Sequence, residues 1–221
     1  MDISLPFISM ISTLLPLLFG IRLLKKQLPA YQLLWALFAV SAAMEVILFI
    51  TAKLLHTENA WLVKYYTVIE YVLIVLLLAR WHNNVAVSRL ITGSIAFYLV
   101  VWVLIEFVFA KSGDAGVINV ISRPAASLLL SVFVFMTLHS VWRQSADLLS
   151  QDFRFWTLIA MAIFYCASLI PISFLYIKNR ELMILLGYAH RIVNILHNLL
   201  FCVGIYIGGK YSVPNSEAAR V

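Results

Sequence analysis

The residues of this chain that could do chemistry sit inside stretches that are otherwise hydrocarbon-like. The segment "GYAHRIVNILHNLLFCVGIYIGGK" (187–210) is mostly apolar, yet its first half carries Tyr188, His190, Arg191, Asn194, His197 and Asn198. Glu45, Glu70, Glu106 and Arg123 stand in similar surroundings. An unpaired polar group in hydrocarbon costs several kcal/mol, so such residues face a protein interior or a water-filled cavity and pair with one another. Three acids against two arginines leave one carboxyl without a guanidinium. That group is either protonated or paired with His190, and a shareable proton of this kind serves relays and pH-sensitive switches. Metal chemistry is less well supplied. His190 and His197 are separated by about two helical turns, too far for both to hold one ion. His139 lies deeper still, so no histidine pair is level for a bis-histidine haem. One histidine with Glu45 and Glu70 remains the metal alternative. No retinal is expected either, because the last helix holds no buried lysine for a Schiff base and Lys210 lies at its exit.

These residues need elements to carry them, and composition says which. The chain has 221 residues, 63% hydrophobic and 12% charged, with a mean hydropathy of +0.97. A soluble domain is nearer half apolar and a quarter charged, so the chain reads as an integral membrane protein. Its formal net charge of +6 is then a matter of loop asymmetry and anionic lipid, with no nucleic-acid partner implied. Cys166 and Cys202 fall within apolar runs and read as small buried hydrophobes. The opening "MDISLPFISMISTLLPLLFGIRLLKK" has its basic residues after the apolar run, unlike a cleavable signal peptide.

A helix needs about 20 apolar residues to cross the hydrocarbon core, and seven such stretches are expected at roughly 4–22, 31–54, 60–80, 89–110, 117–141, 153–177 and 183–208. Short charged connections separate them, with Pro29, Gly113 and Gly116 as helix stops. The expected organisation is therefore an all-α, seven-transmembrane-helix bundle over residues 1–210 and a short, polar, disordered tail over 211–221. Lysine and arginine set its orientation. Arg22, Lys25, Lys26, Arg80, Arg89, Arg143, Arg154, Lys210 and Arg220 fall at one end, against Lys53, Lys64, Lys111, Lys178 and Arg180 at the other. That bias puts the N-terminus outside and the C-terminus in the cytoplasm.

Counting depth at 1.5 Å per residue brings the polar residues level in the outer half of the bundle. The candidate ligand- or proton-binding set is Glu45, Tyr66, Glu70, Tyr71, Trp102, Glu106, Arg123, Tyr188, His190, Arg191, Asn194 and His197. Helical spacing places them on stripes: Gly187, His190, Arg191, Asn194, His197 and Asn198 on the seventh helix, Tyr66, Thr67, Glu70 and Tyr71 on the third. Ser94, Tyr98, Trp102 and Glu106 form a row on the fourth, and Arg123, Ser127 and Ser131 on the fifth. Helix seven offers Arg191 or His190 as the partner of Glu70. Pro124 and Pro171 stand near the same zone, either as hinges or as ordinary membrane-helix prolines.

Three segments, "AWLVKYYTVIEYVLIVLLL", "DFRFWTLIAMAIFYCAS" and "YAHRIVNILHNLLFCVGIY", resemble a group of small seven-helix integral membrane proteins common in Bacteroidetes. The likeness rests on Tyr66 and Glu70 in helix three, the aromatic pair Phe155 and Trp156 opening helix six, and the spaced His and Asn of helix seven. It covers roughly the last three quarters of the chain. It implies the seven-helix architecture and an importance for Glu70 and Asn194, and carries no activity. Arg191 directly after His190 departs from the group's uncharged pattern.

The functional expectation is a small sensor or receptor-like module in a bacterial inner membrane, more a binding protein than an enzyme. Its polar pocket would bind a small ligand or a proton and shift helices five to seven. A separate membrane or cytoplasmic signalling partner would read the change. The alternative is a small-molecule, ion or proton transporter or channel, although no inverted repeat is visible. An intramembrane enzyme is the third reading, without a nucleophile and base at workable spacing.

Overall fold

The computed structural model describes residues 4–24, 28–53, 56, 60–109, 115–144, 149–173 and 180–210. Among them are seven α-helices, one short 3-10 turn at Leu149–Gln151, and no strand. The helices are α1 (Ser4–Leu24), α2 (Pro29–Lys53), α3 (Ala60–Arg80), α4 (Val85–Phe109), α5 (Ala115–Gln144), α6 (Phe153–Ser173) and α7 (Arg180–Lys210). Six are long and apolar enough to cross a membrane, and α6 contributes a shorter apolar stretch, Phe153–Leu169. In lipid no water can satisfy the backbone, so each apolar run must close its own hydrogen bonds as a helix. The chain is an all-α seven-helix bundle built for a bilayer.

Side chains and prolines set the helix ends. Asn84 accepts bonds through Oδ1 from the backbone N–H of Ala86 and Val87, at 2.9 and 3.4 Å, and caps α4. Asp152 caps α6 through the N–H of Arg154 at 2.8 Å. Pro29 is the first residue of α2, where its missing N–H is no loss. Gly116 is the second residue of α5 and not a stop, while Gly113 and the tail from 211 lie outside the described residues. Pro124 does not end α5, which continues to Gln144; α6 ends two residues beyond Pro171.

Packing arranges six helices in a ring in the order α1, α2, α3, α5, α6, α7, which closes back on α1. α4 stands outside, packed mainly against α3 and α5. Its outer face presents Leu90, Phe97, Val100, Leu104 and Phe107, all strongly exposed and suited to lipid. Arg22, Arg80, Arg143 and Lys210 occupy the last turns of α1, α3, α5 and α7 and mark one end of the bundle as basic.

That basic end is plugged. Phe153 at the start of α6 packs its ring against Tyr31 of α2 at 4.7 Å and against Trp81 after α3 at 5.7 Å. Leu34, Leu77, Leu78, Val141 and Leu158 fill the space around them with essentially no exposure. The α6–α7 approach there depends on Gly204 and Gly208, one helical turn apart on one face. A Cβ on Gly208 would stand 3.0 Å from Phe153 Cβ, and one on Gly204 would stand 3.2 Å from Thr157 Oγ1. Small residues at this spacing let two membrane helices pack backbone to backbone.

Candidate functional site

Inside the ring, on the side away from the plug, lies a cavity of about 320 Å³. It runs from the first turns of α1 and α3, at Pro6 and Val63, down to Phe38, Ile74 and Phe201. All six ring helices line it and α4 does not. Eight of the twelve residues singled out by depth and spacing meet on its wall: Glu45, Tyr66, Glu70, Arg123, His190, Arg191, Asn194 and His197.

The polar groups are held in different ways. Tyr165 of α6 donates its hydroxyl proton to Glu70 Oε1 at 2.8 Å. The hydroxyls of Tyr66 and Ser41 share a hydrogen bond of 3.0 Å. On α7, Asn194 donates through Nδ2 to Ser9 Oγ at 3.0 Å, and Asn198 to Ser12 Oγ at 2.9 Å. These two bonds make the parallel α1–α7 seam. His197 differs from all of them. Its ring stacks on Phe164 at 4.5 Å and leans on Phe201 at 4.3 Å. Both of its nitrogens are buried, and neither has a hydrogen-bond partner.

The charged groups share the cavity without touching. Among the described residues no carboxylate oxygen lies within 4.0 Å of a nitrogen of Arg123 or Arg191. Glu45 lies in the field of both arginines, and Glu70 in that of Arg123. The expected direct partnership of Glu70 with Arg191 or His190 is therefore replaced by the Tyr165 hydroxyl, with Arg123 as the cation nearby. The acids come from α2 and α3, whereas the arginines and His190 come from α5 and α7. The first half of the chain thus brings the acids to the cavity and the second half the bases.

Four of the singled-out residues do not reach this cavity. Tyr71 follows Glu70 by one residue, about 100° around the helix, and so faces α4. There it stacks on Tyr98 at 4.2 Å and donates to Ser94 Oγ at 2.9 Å. Trp102 packs against Tyr65 at 5.9 Å. Glu106 accepts a 2.5 Å bond from Lys64 Nζ. The polar row of α4 is real, but it fastens α4 to the outside of α3 and, through the Tyr98 hydroxyl donating to Ser122 O at 3.3 Å, of α5. Tyr188 lies nearer the start of α7 than the lining residues and is half-buried. Gly187, placed on the same stripe, is exposed with open space around it. Lys64, counted among the charges of the far end, is buried, and so is Arg154 in its pair with Asp152. Setting one aside from each end leaves the direction of the basic bias unchanged.

Other members of the site had weaker signals. Tyr165 is a single hydroxyl in the apolar run of α6. Ser9, Ser12 and Thr13 do fall at i, i+3, i+4 on α1, a stripe that spacing alone could have found. At the basic end, His82 Nε2 and Thr137 Oγ1 are 2.9 Å apart, and the Thr137 hydroxyl donates to Phe133 O at 2.7 Å. Thr137 has one proton to give, so His82 is the donor in their bond. Burial holds the His82 pKa below the usual histidine range. Among the described residues, no three His, Cys, Asp or Glu side chains converge as metal ligands.

No family model, no curated protein and no solved structure matches this chain.

Proposed function

We propose that this membrane protein is a receptor-like module whose one-sided cavity binds a small polar ligand. The observation behind this reading is the contrast between the two halves of the ring. One half holds a polar cavity of ligand size, since small-molecule sites usually span about 300–1,000 Å³. The other is filled by the Tyr31–Phe153–Trp81 plug. A transport pathway needs polar lining from face to face, and the plug offers hydrocarbon. In the orientation implied by the basic bias, the cavity faces outward and the plug lies toward the cytoplasm, in a bacterial inner membrane. Ligand held between α2–α3 and α5–α7 would shift their packing at the Gly204–Phe153 contact, where a separate partner reads it. Neither retinal nor haem belongs to this reading, and the likeness to the Bacteroidetes seven-helix group is part of it.

The reading is tested by single-cysteine labelling in sealed vesicles, on a background with Cys166 and Cys202 replaced by serine. A membrane-impermeant thiol reagent is expected to reach Ser41→Cys in the cavity from the outer side only, and Leu78→Cys in the plug from neither side. Labelling of Ser41→Cys from both sides would mean alternating access and would replace the receptor reading with transport.

A further inference from the structure

We infer that the ligand of this cavity is a small zwitterion, a molecule with one carboxylate and one ammonium group. Its carboxylate points toward α5 and α7, and its ammonium toward α2 and α3. This deepens the ligand-binding reading and rests on it.

Charge supplies the first argument. The cavity carries two guanidiniums, from Arg123 on α5 and Arg191 on α7, and two carboxyl groups, from Glu45 on α2 and Glu70 on α3. Glu45 lies in the field of both arginines and Glu70 in that of Arg123, yet no arginine–carboxylate contact falls within 4.0 Å among the described residues. Glu70 already accepts a bond from Tyr165, which leaves Glu45 as the acid open to a cation. A guanidinium is a planar fork that matches a carboxylate in two parallel bonds. A simple anion would satisfy that fork but would bring its charge against Glu45. A simple cation would satisfy Glu45 and be repelled by Arg123 and Arg191. In a low-dielectric interior either mismatch is costly. A dipolar ion adds no net charge and meets both sets of groups with the matching sign.

A second feature of the cavity is independent of charge. Both nitrogens of His197 are buried and unpartnered, and this residue lines the same cavity. A buried polar group without a partner costs about 1–3 kcal/mol, and a native protein keeps it for a reason. A hydrogen-bonding ligand that reaches the cavity floor supplies that reason. The floor itself is aromatic, with Phe38, Phe164 and Phe201 around His197. Such a floor suits an aromatic side chain that carries its own hydrogen-bonding group, and the volume suits one α-amino acid of that size.

The experiment uses the full chain in lipid nanodiscs and reads the ligand-induced rise in melting temperature over a concentration series. The probes are a panel of amino acids from glycine to tryptophan, each beside its deaminated acid and its decarboxylated amine; for phenylalanine these are 3-phenylpropionate and phenethylamine. At least one amino acid is expected to stabilise the protein at a concentration tenfold or more below that needed by either analogue. Glu45→Gln and Arg191→Gln should each weaken that amino acid tenfold or more. The comparison of analogues is made on the unaltered protein, so it stands even if a variant fails to fold. A deaminated acid that binds as well as its amino acid would overturn the zwitterion while leaving a ligand-binding cavity in place. Silence from the whole panel would also overturn it, and the cysteine labelling would then decide separately whether the receptor reading stands.

Discussion

The Lys64–Glu106 pair offers a quantitative test of how α4 is attached. This helix packs mainly on α3 and α5, and among the described residues this pair is its one ion pair with them. The Lys64 side chain is 8% exposed and that of Glu106 30%. Removing one partner of a buried ion pair typically costs about 3–5 kcal/mol, because the other charge is left desolvated and alone. Two features reduce that figure here. Lys64 Nζ keeps the face of Tyr65 at 5.0 Å, a cation–π contact that contributes about 0.5–2 kcal/mol. Glu106 is also partly open to its surroundings. Glu106→Gln is therefore expected to cost about 2–3 kcal/mol, and Lys64→Met, which leaves the more exposed partner behind, about 1–2 kcal/mol. The double variant should recover about 1–2 kcal/mol relative to the sum of the singles. Reversible unfolding in mixed micelles, followed by tryptophan fluorescence, measures all three. Hydrogen exchange should rise first in 85–109. A fully stable Glu106→Gln protein, or a double variant equal to the sum of its parts, would refute the reasoning.

Two further outcomes follow from the basic end. Gly208→Val should lower the melting temperature sharply, since even its Cβ would meet Phe153 Cβ at 3.0 Å; Gly209→Val, with open space around it, is the control that should change little. For His82, burial holds the folded pKa below the ordinary histidine value of 6.5. The unfolded chain therefore binds the proton more readily, and the stability this residue contributes is complete above pH 6.5 and lost as pH falls below it. Melting at pH 7.5 and 5.5 should show a smaller acid loss for His82→Gln than for the unaltered protein; equal losses would exclude His82 as a source.

Helix number, helix positions and the polar stripe of α7 were legible in the sequence because they are one-dimensional signals. The bilayer requires runs of a given length, and an amphipathic stripe repeats with the helical period. Depth was legible for the same reason. Direction around the bundle was not. Glu106 has the depth expected of a cavity residue, and only the packing of α4 outside the ring turns it toward Lys64. Tyr71 shows the same limit at single-residue scale, since it follows Glu70 yet faces the opposite neighbour. Tyr165 gave no periodic signal, being one hydroxyl in an apolar helix. The Gly204–Gly208 approach was not read from the sequence, because its partner, Phe153, is defined only by tertiary structure.

The place of α4 has a topological consequence. Three crossings are an odd number, so a chain leaving α3 emerges on the face opposite to the one where α1 began. A second set of three begun there would run upside down. α4 adds the crossing that restores the starting face, and so α5–α7 repeat the sense of α1–α3. The ring is thus two arcs of like direction, joined at the parallel seams α3–α5 and α7–α1. One arc brings Glu45 and Glu70, the other Arg123 and Arg191. Without the extra crossing the arcs would be inverted relative to each other, and the acids would stand at a different depth from the bases. A helix that contributes no atom to the cavity wall sets the parity that lets its opposite charges meet.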